Sequence, residues 1–259
     1  MFIVAVDEPV YLNPYVRGVM DNCGVNVVGV AMYRAPHKTW RLARLRRTIS
    51  LALLAALAFS PANLARIVWW RVRALLGWPS DRSLAAVCAA RGVPCTMLTT
   101  ANAPEFAAKL RALDVDLLLH QSPETLRGDV LRAPKVGVLN RHLSVLPAYR
   151  GAWPVFWQFV NGEPRLGLTI HLVDEGIDTG AVLAQATIDR QPDDTLASAH
   201  ERLFARAVAL TADAIARLSR GDAGTPSDLG SSACYRTPSP GEVLAFMLGR
   251  RRSPVSARA

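Results

Sequence analysis

The sequence predicts an α/β fold in which a mostly parallel sheet is flanked by helices. Three observations predict it. The chain opens as strand, helix, strand, over Phe2–Val6, Tyr11–Asn22 and Val25–Tyr33, and such an opening implies parallel strands. Strand and helix patterns alternate again after residue 80. A short apolar run, Val136–Leu139, then has the length and composition of a buried central strand.

Each element follows from local signals. Phe2–Val6 is an apolar run that meets Asp7 and Glu8 early and has no basic leader, so it reads as a first strand and not as a signal peptide. Tyr11–Asn22 is helical and ends at Cys23-Gly24. Val25–Tyr33 is rich in β-branched residues. Neither G-x-G-x-x-G nor G-x-x-x-x-G-K-[ST] follows either strand, which disfavours NAD or P-loop nucleotide binding.

A helical insertion over 36–79 interrupts the alternation, with helices expected at 38–59 and 62–76 broken by Ser60-Pro61. Asp81–Arg91 is a helix capped by Ser80 or Asp81, Pro94–Thr99 a strand, Ala103–Leu113 a helix and Asp116–His120 a strand. Glu124–Leu131 reads as a helical turn leading to the strand at 136. Gly151–Gly162 is a helix whose Trp153, Phe156 and Trp157 pack as core. Gly167–Val173 and Ala181–Ile188 pair as antiparallel strands, and Thr195–Ser219 is a long amphipathic helix with Asp193 or Asp194 at its start. Gly, Thr, Pro and Ser clusters after Gly221 mark a boundary. The expected organisation is therefore a catalytic domain over 1–220 and a short, partly disordered extension over 221–259, ending in a basic tail from Arg250.

The formal charge of +9 belongs to one segment. Residues 22–80 hold nine Lys or Arg and no acid, and the rest of the chain is balanced. Four of the six tryptophans, Trp40, Trp69, Trp70 and Trp78, lie there as well. Two readings of 36–79 stand: a hairpin packed on the sheet or on a second subunit, and an interfacial segment over 38–78 resting on an anionic membrane. The uncharged run Thr48–Ala65 contains Pro61 and is marginal against the roughly 20 apolar residues a span requires. The leucine and alanine content is too high for a solvated phosphate-binding face, so a nucleic-acid partner is disfavoured. Cys23, Cys88, Cys95 and Cys234 are scattered without a C-x-x-C pair, which fits a reducing cytosol and neither a zinc site nor a disulfide framework. The expected location is cytoplasmic, with the membrane reading adding a peripheral position at the inner face.

The chemistry concentrates in 136–180. Asn140 and His142 come where a strand gives way to a loop, two residues apart, so an amide and an imidazole face one site. In an open α/β sheet, ligands sit beyond the carboxyl ends of the strands. Asp178, between glycines in the turn after 167–173, can orient and charge-stabilise the histidine. Ser144 hydrogen-bonds within the loop or caps it. Arg150, in Tyr149-Arg150-Gly151, fixes the loop or meets an acidic substrate group. His171 reads as a core or pocket-wall residue, and Asp174 and Glu175 as turn-formers. No spacing of His142, His171 and the cysteines matches a zinc pattern, and no metal is expected.

Three linked motifs carry a resemblance: Asn140-x-His142; Ser-x-Leu-Pro-x-Tyr-Arg-Gly at 144–151; and His171-x-Val-Asp-Glu-Gly-x-Asp178-x-Gly. Together they resemble the 10-formyltetrahydrofolate-dependent formyltransferases, over 85–215 and more loosely over 1–35. The resemblance implies a Rossmann-like, formyltransferase-type fold, with Asn140, His142 and Asp178 as catalytic residues. It implies 10-formyltetrahydrofolate as formyl donor, held around Gln121, Leu126, Leu139, Asp174 and Gly176, with Ser144, Arg150 and His171 supporting the substrate or the loop. The stretch Gln121–Leu126 departs from the Arg-Ile-Leu-like pattern of the purine and tRNA enzymes. The implied reaction is formyl transfer to the amine of a small acceptor; the Trp153–Trp157 segment and the short tail after 220 resemble the amino-sugar enzymes, and the arginine-rich insertion suits an acceptor of glycan or envelope biosynthesis. The roughly 40 residues after 220 are too few for the C-terminal domain of a methionyl-tRNA formyltransferase. Hydrolysis of the formyl folate, a methionyl-tRNA formyltransferase-like activity and a non-catalytic membrane- or partner-docking role are the other readings, and the oligomeric state is open.

Overall fold

The computed structural model describes residues 1–34, 82–230 and 232–249, together with Ala65, Trp69 and Val72. The expected helices of the 36–79 insertion and the tail from Arg250 lie outside the described residues. A seven-stranded sheet runs in the order β3-β2-β1-β4-β5-β7-β8. Its strands are β1 Phe2–Ala5, β2 Gly29–Tyr33, β3 Cys95–Leu98, β4 Leu117–Gln121, β5 Gly137–His142, β7 Arg165–Leu172 and β8 Val182–Asp189. The first five are parallel, and β7 and β8 are antiparallel additions at one edge. A separate two-residue parallel pair joins β6 Arg150–Gly151 to β9 Cys234–Tyr235.

The helices are α1 Leu12–Asn22, α2 Leu84–Ala89, α3 Pro104–Ala112, α4 Asp129–Arg132, α5 Pro154–Val160, α6 Leu196–Ser219 and α7 Pro240–Met247. Side chains alternate across a strand, so each parallel strand feeds both layers. Ile3, Leu119 and Leu139 enter one core with α1, α2 and α6 residues such as Val16, Leu84 and Leu203. Phe2, Val4, Leu118 and Val138 enter the other, with Phe106 and Leu110 of α3 and Val130 of α4. The connection from β1 leads outward to β2 and β3, and the chain then returns to β4 on the other side of β1. This reversal opens a crevice at the carboxyl ends of the strands.

Several boundaries differ from the sequence expectation for identifiable reasons. β5 runs through His142, because β7 pairs antiparallel with it as far as His142 opposite Thr169. Asn140 and His142 therefore stand inside the strand and not in the loop after it. α2 begins at Leu84 with Ser83 as its cap, its Oγ accepting from Ala86 N at 3.2 Å, and not at Ser80 or Asp81. Asp7 Oδ1 also accepts from Leu84 N at 2.9 Å, which draws the helix start to the end of β1. Residues 124–128 are not helical. The Glu124 carboxylate is spent on Thr100 Oγ1 at 2.5 Å and Ala101 N at 2.7 Å, which pulls that loop across the sheet end. α5 starts at Pro154 because residues 150–151 are held as a strand by 234–235.

Candidate active site

The site is built at the carboxyl ends of β1, β4 and β5, where a cleft of about 760 Å³ opens. Its walls include Val6, His120 and Gln121 at the end of β4, the loop residues 122–126, Asn140, His142, Trp153, His171, Val173–Asp174, Gly176–Asp178, and Cys234, Tyr235 and Thr237. Register brings the polar groups together. His120 lies beside Asn140 in the parallel pairing of β4 with β5, and His171 lies opposite Asn140 in the pairing of β5 with β7. His171 also stands at a register irregularity between β7 and β8, a kind of defect that re-aims a side chain.

The Asn140 amide is held at both ends. Its Oδ1 accepts from Gln121 Nε2 at 3.1 Å, and its Nδ2 lies 3.3 Å from His171 Nε2. His171 Nδ1 faces its neighbour's carbonyl, Leu172 O, at 2.8 Å. A carbonyl only accepts, so Nδ1 carries the hydrogen and Nε2 is left to accept from Asn140. Burial pushes the His171 pKa below its ordinary 6.5, against the pull of Asp178, which agrees with a neutral ring.

His142 is buried and lies between two oxygens. Nε2 is 2.8 Å from Tyr149 O, and Nδ1 is 3.4 Å from Asp178 Oδ2. Burial lowers its pKa below 6.5, while the Asp178 charge and the Tyr149 carbonyl raise it. A neutral ring at this place always turns one lone pair toward an oxygen. Only the doubly protonated ring satisfies both. Desolvation holds the ring neutral, and its partners favour proton uptake.

Asp178 is placed by the turn 173–179. Asp174 Oδ1 accepts from Gly176 N at 3.0 Å and Thr179 Oγ1 at 2.5 Å, closing an Asx-type turn. Asp178 itself has φ 51°, and its Oδ2 accepts from Gly151 N at 2.7 Å while Oδ1 is 3.6 Å from His171 Nε2. Tyr149 and Trp153 also have positive φ, both 59°. Asp178 and Trp153 line the cleft and Tyr149 contacts His142 behind it, and such conformations cluster at functional sites.

The structure gathers most of the sequence-predicted residues and separates a few. Asn140, His142, Asp178, Gln121, Leu126, Asp174, Gly176 and His171 all line the cleft. Leu139 does not: it points to the opposite face of the sheet and is fully buried in that core. Ser144 lies outside the lining, fully buried, and its Oγ donates to Ala148 O at 2.6 Å. Arg150 donates to Ser232 O at 3.1 Å and Ile177 O at 3.5 Å, tying the loop to the segments on both sides of it. Trp153, expected in the core with Phe156 and Trp157, packs against that core but is only half-buried and also lines the cleft, at a left-handed position that precedes the helix. Sequence reasoning passed over Arg141, and it did not place Cys234, Tyr235 and Thr237 at the site. Long-range packing brings that segment back: Trp157 Nε1 donates to Arg236 O at 3.0 Å, and Tyr235 stacks on Tyr149 at 5.1 Å.

A folate-sized donor needs an apolar slot beside fixed polar atoms. Leu126, Val6 and Val173 provide the slot, and the backbone of 120–125 and 174–176 provides polar groups. One buried nitrogen, His120 Nδ1, has no partner, while His120 Nε2 is 2.8 Å from Glu124 O. With Nε2–H donating to that carbonyl, Nδ1 is a free acceptor at the end of β4, flanking the slot. These residues fit such a donor.

Comparison with known proteins agrees with this geometry. Over 120 residues the chain is 40% identical to a methionyl-tRNA formyltransferase of Synechococcus sp. (strain JA-3-3Ab), covering 46% of this chain and 37% of that protein. It is 38% identical over 136 residues to the GDP-perosamine N-formyltransferase of Brucella melitensis, covering 52% of each. The chain thus spans between 37% and 52% of the length of these curated relatives. Among solved structures, an N-formyltransferase from Helicobacter canadensis, in complex with folinic acid and dTDP-3-aminofucose, has the same fold. Its TM-score is 0.57 at 16% identity, over 91% of this chain and 70% of that one. The sequence profile of the formyl transferases matches residues 86–215, about half of the chain, and includes Asn140, His142 and Asp178. This chain belongs to the formyl transferase family.

Proposed function

We propose that the chain transfers a formyl group from 10-formyltetrahydrofolate to the amine of a small acceptor, an amino sugar carried on a nucleotide being the best fit. The observation that carries this is the convergence of the Asn140 amide, the His142 ring and the Asp178 carboxylate on one wall of the cleft. The Brucella GDP-perosamine enzyme supports the acceptor class, and the ligands of the Helicobacter structure are of the same two kinds as the proposed donor and acceptor.

The donor, when bound, supplies an electrophilic formyl carbon. An amine attacking it places negative charge on the formyl oxygen and positive charge on the amine nitrogen. The second N–H of the Asn140 amide, not used on His171, is a preorganised donor for that oxygen. The amine proton passes to neutral His142, or to a water held by Asp178, and the Asp178 carboxylate stabilises the positive charge so formed. The same group returns the proton to the nitrogen that leaves. Asp174 and Gly176 shape the turn that holds Asp178, and His171 fixes the Asn140 amide. No covalent bond to the chain is needed.

Turnover of 10-formyltetrahydrofolate by the purified chain tests this, with and without a panel of amino-sugar nucleotides and with Asp178→Ala as control. Loss of the donor only with an amine present, abolished in the control, is the expected result. Formate release without an amine would make the chain a hydrolase, and absence of donor binding would remove the reading. Among the described residues no helix is long and apolar enough to cross a membrane. The nine cations without an acid in 22–80 support a cytoplasmic chain resting on an anionic membrane face. Co-sedimentation with anionic but not zwitterionic vesicles, lost when Arg41, Arg44, Arg46 and Arg47 become Glu, is expected.

A further inference from the structure

Arg141 stands between Asn140 and His142 and points to the other side of the sheet. It is buried among α1 and α6, its guanidinium carbon 4.0 Å from the Phe204 ring centre and 5.1 Å from that of Tyr15. No carboxylate forms an ion pair with it among the described residues. Burial lowers its pKa to about 10, which leaves it a cation at neutral pH. An unpaired buried cation is costly, and the two aromatic faces offset part of that cost. The clamp also fixes where the in-plane N–H groups point. Nε donates to Gln121 Oε1 at 3.1 Å.

From that contact the polarity of the site is determined by donor and acceptor chemistry alone. A guanidinium has no acceptor, so Gln121 must turn its oxygen toward Arg141. The same orientation is required independently at the other end, where Gln121 Nε2 lies 2.6 Å from the carbonyl of His120. Gln121 Nε2 therefore also faces Asn140, at 3.1 Å, and Asn140 must answer with its oxygen. The NH2 of Asn140 is left facing the cleft and His171 Nε2. The relay runs one way, from Arg141 through Gln121 and Asn140 to His171 and the Leu172 carbonyl.

We propose that Arg141 and Gln121 are positioning residues that hold the Asn140 amide with its NH2, and not its oxygen, toward the reacting formyl oxygen. This rests on the formyl-transfer reading above. Neither side chain touches the reacting atoms in this role. The consequence is specific: a side chain at 121 that only accepts reverses Asn140, and one that does neither merely frees it.

Gln121→Glu and Gln121→Met separate these effects. The Gln121→Glu carboxylate gives Arg141 a counter-ion and accepts from Asn140, whose oxygen then turns into the site. The expected result is a folded protein with a lowered melting temperature, because the carboxylate faces the His120 carbonyl that Gln121 Nε2 binds at 2.6 Å, and kcat lower by about 100-fold, the scale of losing one such donor. Gln121→Met loses the relay without reversing it, so its kcat should fall less, by about tenfold. A residue that served packing alone would give the opposite order, with the carboxylate tolerated in kcat. A folded Gln121→Glu that keeps kcat within threefold of wild type overturns the proposal. The side-chain NH2 resonances of Asn140, assigned through Asn140→Asp, read the relay without turnover. One sharp pair in wild type, shifted in Gln121→Glu and broadened in Arg141→Met, is expected. If the wild-type chain transfers no formyl group, the catalytic reading fails by itself, and these resonances alone decide the relay: a pair unchanged in both variants overturns it.

Discussion

At the scale of single residues, the site depends on which atom carries a proton. His142 is held neutral by burial and lies against Tyr149 O and Asp178. If neutral His142 accepts the amine proton, kcat/KM should rise with pH and level off, with a midpoint below the ordinary histidine value of 6.5, because burial lowers that pKa. A profile falling over the same range would mean the protonated ring is the working form. Asp178→Asn should lower kcat by about 100- to 10,000-fold while donor affinity, measured by titration calorimetry, stays within a few-fold. The amide cannot stabilise an imidazolium, but it fills the same space. Asn140, His142 and Asp178 were legible in the sequence because their spacing lies within short local motifs. Arg141 was not, since its meaning comes from Phe204 on a helix some sixty positions away. His171 does line the cleft, as its place on a strand implies, but its contact with Asn140 is reached only across a strand pairing. Leu139 stays out of the cleft lining by strand alternation: its side chain faces away from that of Asn140.

At the scale of elements, the least legible part is the return of the chain after residue 230. β9 pairs with β6, α7 places Val243 in the core, and Phe246 packs 5.3 Å from Phe156. Ser239 and Glu242 form a reciprocal capping box, and Arg236 binds both oxygens of Glu242 at 2.9 Å. The sequence shows that box as Ser239-Pro-Gly-Glu242, but no local signal says what the helix packs upon. Gly151 couples this segment to the Asp178 carboxylate. It has φ 90°, and a Cβ there would run into the Tyr235 carbonyl oxygen. Its N–H donates to Asp178. Gly151→Ala should therefore destabilise the fold by about 1–3 kcal/mol from backbone strain alone, read by urea denaturation, and lower kcat as well. Loss of stability with kcat unchanged would show that the return segment and Asp178 are uncoupled. A second element with a testable start is α1. The Glu8 carboxylate accepts from Val10, Tyr11 and Leu12 N at 2.7–2.9 Å, so the anion site of this helix N-terminus is filled by the chain itself. Glu8→Ala should cost about 0.5–2 kcal/mol in the same assay.

At the scale of the whole molecule, the α/β class was legible because alternation of strand and helix is local, while the strand order was not. Nothing in the sequence around 165–189 says that β7 joins the sheet antiparallel beside β5. Yet that pairing brings His171 to Asn140. The arrangement buries titratable groups throughout the molecule, which gives a property of the entire fold. His120, His142, His171 and His200 all have pKa values pushed below 6.5, in each case first by burial. As pH falls below 6.5 the unfolded chain takes up protons at these positions and the folded chain does not. Stability is therefore fully present above about pH 6.5 and declines as pH drops toward the folded-state values. Each group contributes at most about 1.4 kcal/mol per pH unit within its window. Thermal unfolding between pH 7.5 and 5 should show this decline, beginning at a higher pH than carboxylate protonation alone would produce. His200 separates fold from site. Its Nδ1 is 2.6 Å from Leu196 O on α6, and its ring lies 5.7 Å from that of Tyr11, away from the cleft lining. His200→Gln should flatten the pH dependence by one group's share and leave kcat unchanged. A melting temperature that stays level from pH 7.5 to 5.5 would mean that these rings are protonated in the fold, and the neutral His142 required for proton uptake would be lost with them.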